Sequence, residues 1–88
     1  MGNVFVVYRV MPDSPENVEK VRDAVIHELK NAGVEIMDIK EEPIAFGLKA
    51  ILLGVKMEDK AGLVDEIEEK IRAVQGVESV SVEKTTLI

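Results

Sequence analysis

Twice this chain leaves a stretch of helical spacing through Gly-Val-Glu and opens a run of β-formers, at Gly33-Val34-Glu35 and at Gly76-Val77-Glu78. Glycine ends helices readily because it takes the left-handed conformation without steric cost. The repeated junction divides the 88 residues into two halves of strand, helix and strand. Residues 3–11, NVFVVYRVM, are dense in β-branched and aromatic residues and predict a first strand. In MPDSPEN, Ser14 suits an N-cap and Pro15 the first helical position, so a helix is expected to start there. Val18, Val21, Val25 and Leu29 give that helix one apolar face. Residues 34–41 predict a second strand, halted by Pro43, which also holds Glu42 extended. A third strand is expected from Ala45 to Met57. Asp59 then caps a second helix with the stripe Val64, Ile67, Ile71 and Val74, ended by Gly76, and residues 77–85 predict the last strand.

The order β-α-β-β-α-β, with a hairpin joining the halves, predicts a single α+β domain over residues 1–88. Its fold is a ferredoxin-like βαββαβ sandwich, a four-stranded antiparallel sheet with two helices on one face. The other face of such a sheet should alternate towards polar residues. Instead Val4 to Val7 and Ile51 to Leu53 put apolar groups on both faces. That leaves two possibilities, an open face with scattered apolar groups or a face covered by a partner or a second copy.

Composition removes most chemistry. There is no cysteine, hence no disulfide, thiolate metal site or cysteine nucleophile. With 11 Lys+Arg against 17 Asp+Glu and few aromatics, the chain is a poor binder of phosphate backbones and bases. No apolar run reaches the ~20 residues that span a bilayer, and no signal peptide is evident, so a cytoplasmic protein is expected. His27 is the single histidine and reads as a helical surface residue. Glu41-Glu42 and Glu68-Glu69 are sequence neighbours, which point in different directions on strand or helix and make poor acid–base couples. Phosphate-loop and dinucleotide glycine patterns are missing, as is calcium-loop spacing. No cofactor is indicated. A module that works by binding remains, rather than an enzyme.

One run carries more. Pro43-Ile-Ala-Phe-Gly-Leu-Lys49 resembles the P-I-[AG]-F-G-[IL]-K run of the nucleotide-exchange domain of elongation factor 1-beta. MEDKAG at 57–62 is similar to that family's V-E-D-D-K-V turn, and the closing VESVSVEKTTLI to its V-Q-S-x-D-[IV] ending. Length, acidity and strand order fit the stand-alone archaeal form. The resemblance implies a guanine-nucleotide exchange factor for elongation factor 1-alpha, with no catalytic group, no direct nucleic-acid contact and no membrane contact. It implies a partner-binding set of Pro43, Ile44, Phe46, Gly47, Lys49, Lys84, Leu87 and Ile88. In the family the motif's aromatic reaches into the GTPase, which assigns that part to Phe46. By pattern alone the core beside Leu48 is the favoured place for Phe46, since residues 46, 48, 50 and 52 of one strand share a face; the resemblance reverses that. Eukaryotic relatives aim a lysine, one residue before the C-terminus, at the GTPase's Mg²⁺. Leu87 stands there here, and the nearest lysine, Lys84, lies ~10 Å away along an extended strand and on its other face. A regulatory or scaffold domain that dimerises, or binds a small ligand, through the open sheet face is the alternative.

Overall fold

The computed structural model describes residues 2–88. Strands β1 (Asn3–Pro12), β2 (Glu35–Ala45), β3 (Leu48–Glu58) and β4 (Val77–Leu87) alternate with helices α1 (Val18–Asn31) and α2 (Leu63–Arg72) in the expected order. They form one antiparallel sheet with the order β2-β3-β1-β4, so β1 and β3 are central and β2 and β4 are the edges.

Period-2 alternation fixes the two faces. Val4, Val6, Tyr8 and Val10 of β1 are buried, and lie opposite Met57, Val55, Leu53 and Ile51 of β3, also buried. The helices pack Val18, Val21, Val25, Leu29, Ile67 and Ile71 into the same core. The Tyr8 hydroxyl donates to the Val64 carbonyl at 2.9 Å and ties the central strand to the start of α2. Burial, reinforced by the carboxylates of Glu68 and Asp65, pushes this phenol well above its ordinary pKa.

Several boundaries differ from those expected. Ser14 is extended and makes no side-chain cap; Pro15–Asn17 form a 3₁₀ turn and α1 begins at Val18. The Asn17 side-chain amide donates to the Asp13 carboxylate at 2.8 Å instead. At the far end Gly33 (φ +80°) closes α1, its N–H bonded to Lys30 and that of Val34 to Leu29, the paired bonds of a Schellman motif. The second helix ends at Arg72, short of Gly76, with Val74 packing on the core from the turn beyond it. Asp59 does not cap it, since the residue before Leu63 is Gly62 in the left-handed region.

The third strand starts later than the apolar pattern suggested, and β2 runs through Pro43 to Ala45. Proline lacks a ladder donor and survives where strands have one free side, as at the β2 edge. Ala45 pairs with Leu48, which leaves Phe46 and Gly47 as a two-residue hairpin loop. Both have positive φ, +53° and +79°, the signature of a type I′ turn.

Candidate functional site

The hairpin decides where the motif aromatic goes. A residue at the tip of a type I′ turn belongs to neither strand face, and Phe46 is 100% exposed. It does not share a face with Leu48 and does not enter the core. Gly47 supplies the second positive φ where any side chain would be strained, and a Cβ there would approach Pro15 at 3.8 Å. Ile44, at 44% exposure, precedes the tip, and Pro43 faces Lys49 across the two strands. The Lys49 ammonium lies 3.7 Å from a Glu41 carboxylate oxygen. Pro43, Ile44, Phe46, Gly47 and Lys49 thus form one cluster at the end of the β2–β3 hairpin.

The tail lies elsewhere. Leu87 pairs with Val4 and the Ile88 N–H donates to the Asn3 carbonyl at 3.0 Å, so the backbone is tied down to its last residue. The two side chains remain 72% and 63% exposed. Since Val4 also faces Met57, the tail sits at the end of β3 opposite the hairpin tip. The 11 residues of β3 put about 30 Å between the two clusters. Lys84 faces Val7 across β1 and β4, on the sheet side away from the helices, whereas Leu87 faces Val4 on the helix side. A register shift between Val7 and Tyr8 leaves Glu83 unpaired in the ladder and turned towards Arg9.

The open face is half apolar, as the central strands predicted. Phe5, Val7 and Leu52 are half-buried there. The Phe5 ring lies over Gly54, where a Cβ would come within 2.7 Å of it. This contact was missed from the sequence, although an isolated glycine within a strand is a signal for such a close approach. Arg9 crosses the same face to Glu42 at 2.8 Å and Glu83 at 3.6 Å, and these partners hold its guanidinium above its ordinary pKa. His27 is exposed, next to Asn31. Among the described residues no group of three or more His, Asp or Glu side chains is placed to hold a metal. No helix among them is long and apolar enough to cross a membrane.

Residues 5–88 match the family described as the EF-1 guanine nucleotide exchange domain. The chain belongs to that family. Two relatives named elongation factor 1-beta support it at full length. That of Methanoregula boonei is 46% identical over 88 residues and 99% of both chains. That of Archaeoglobus fulgidus is 43% identical over 91 residues and the whole of both. Among solved structures, the ACT domain of the GTP pyrophosphokinase of Chlorobium tepidum superposes with a TM-score of 0.67. It is 16% identical, over 91% of this chain and 97% of that one, and shows a shared fold only. This exchange domain promotes replacement of GDP by GTP in translation elongation. Catalytic side chains are not needed for that, because exchange breaks no covalent bond.

Proposed function

We propose that this exchange domain acts on elongation factor 1-alpha, in the cytoplasm, by engaging the GTPase at two separate places. The hairpin cluster Pro43–Lys49 would supply one contact and the tail residues Leu87 and Ile88 the other. One observation carries the proposal: a fully exposed phenylalanine held at a tip whose left-handed backbone favours Gly, Asn or Asp. Buried in a partner pocket, such an aromatic anchor contributes about 2 kcal/mol or more.

Exchange then follows from linkage. A factor that binds the nucleotide-free GTPase more tightly than the loaded one weakens the nucleotide by the same ratio. The grip on GDP comes largely from Mg²⁺ and the phosphate-cradling loop, so disturbing the segments around them loosens it. With Leu87 where the eukaryotic relatives carry lysine, the tail offers apolar surface rather than a cation. It would act by displacing those segments, not by competing with the metal's charge. Lys84 faces the other side of the sheet and is not needed as a replacement.

Release of a fluorescent GDP from archaeal elongation factor 1-alpha, with catalytic amounts of this protein, tests the proposal. Acceleration by the wild type that is lost in Phe46→Ala, with circular dichroism unchanged, is the expected result. Acceleration that survives Phe46→Ala would remove the hairpin from the site.

A further inference from the structure

The distal half of β2 is thinly attached to the body of the domain, its apolar side chains Met37, Ile39 and Ile44 left 53%, 37% and 44% exposed. From Met37 to Ala45 every residue is exposed except Glu41, and β2 hydrogen-bonds a neighbour on one side only. Beneath the tip lies a hollow of about 270 Å³, lined in part by Pro15, Glu16, Glu19 and Gly47. Of the lining side chains only Pro15 and Val18 are apolar, so close packing beneath the tip does little to fix where Phe46 points.

Two adjacent carboxylates make the missing connections. Glu41 faces the helix side of the sheet, opposite Ile51, and there accepts a hydrogen bond at 2.7 Å from Arg22 of α1, with Lys49 at 3.7 Å. Glu42, opposite Ala50, faces the other side and accepts one at 2.8 Å from Arg9 of β1, reaching across β3. Consecutive residues of a strand point to opposite faces, so the pair grips the body from both sides. Four and five residues further on comes the tip.

We propose that Glu41 and Glu42 are positioning residues for Phe46: a two-sided ionic brace that holds the hairpin in the direction in which its aromatic meets the GTPase. The inference rests on the proposed exchange role. Its effect is preorganisation: without the brace the hairpin samples more directions, and the partner must select one on binding. Loss of the brace therefore raises the amount of factor needed and leaves the maximal exchange rate alone.

The test combines two measurements on Glu41→Gln/Glu42→Gln. Hydrogen exchange of the free protein should show faster exchange at residues 44–49 with β1 protection unchanged. Titration of factor against GDP release should show a half-saturating concentration raised roughly three- to tenfold, the range two half-exposed ion pairs supply, at an unchanged maximal rate. Arg9→Glu, which sets a like charge against Glu42, should raise it as well, and adding Glu42→Arg should recover most of the loss. Wild-type titration by the double variant, absence of recovery, or a loss of protection spread evenly over the sheet would each overturn the brace. If the wild type itself fails to accelerate GDP release, the exchange role falls. The hydrogen-exchange comparison needs no GTPase and still decides whether the carboxylates hold the hairpin.

Discussion

Phe46 sits in a backbone conformation that L-residues other than Gly, Asn and Asp rarely adopt, at a cost of about 1 kcal/mol or more. The first position of a type I′ loop is ordinarily Asn, Asp or Gly, whose geometry matches the twist of the flanking strands. A large aromatic that touches nothing in its own chain gains no packing to offset that cost. Phe46→Asn and Phe46→Gly are therefore expected to raise unfolding free energy by about 0.5–1 kcal/mol while abolishing exchange. Chemical denaturation and GDP release on the same preparations check this. A variant losing both stability and exchange would mean that Phe46 supports the fold. Gly47→Ala is expected to go the other way, destabilising by about 1 kcal/mol because its φ of +79° suits only glycine. Lys84→Ala should exchange like the wild type, since its side chain leaves the sheet on the side opposite Leu87. A large loss there would bring the lysine into the site after all.

The elements divide by how locally they are specified. Helix α1 could be read in advance: Val18, Val21, Val25 and Leu29 repeat at helical spacing and all four are buried. So could β1, where burial alternates residue by residue from Val4 to Pro12. The hairpin could not, because Ala45, Phe46 and Leu48 continue the apolar run of β3 and the usual Asn-Gly turn signal is missing. Pro43 misled in the same place, since whether a strand tolerates proline depends on which strand is at the edge, a property of the whole sheet. The carboxylate brace was invisible for a related reason: Arg22 and Arg9 meet Glu41 and Glu42 only through tertiary register. The proposal of Phe46 as a contact residue came from family resemblance, not from periodicity. A second long-range tie, from Tyr8 to Val64, makes an element-level prediction. A phenol whose folded-state pKa is raised stabilises the protein fully below its unfolded value, about 10, and loses that contribution as pH rises from there through the higher folded value. Unfolding midpoints should fall above pH ~10 in the wild type and fall less steeply in Tyr8→Phe. At neutral pH the same variant should cost about 1 kcal/mol, because the Val64 carbonyl loses its donor. Parallel curves for the two proteins would show that another group governs the alkaline limb.

At the scale of the whole molecule, the two proposed contact clusters occupy diagonal corners of the sheet, the tip on the β2–β3 side and the tail on β4. They share no partner and are far enough apart for their effects to be independent. Removal of Leu87 and Ile88 is expected to slow GDP release. Combined with Phe46→Ala at factor concentrations high enough to retain measurable activity, it should multiply the two separate losses. A combined loss no greater than either alone would show that both ends serve one step.

Between those corners run the two central strands, β1 and β3, paired without a register shift from Asn3–Glu58 to Val10–Ile51, with helices laid along one side of the sheet. The domain therefore behaves as a caliper of fixed span. On the proposed two-site engagement it would fit at both jaws only a GTPase whose two receiving surfaces stand that far apart, and would strain against any other. What such a factor would recognise is a separation within its partner. A shape with that separation is favoured whether or not nucleotide is bound, and the nucleotide is displaced to the extent that it requires a different one.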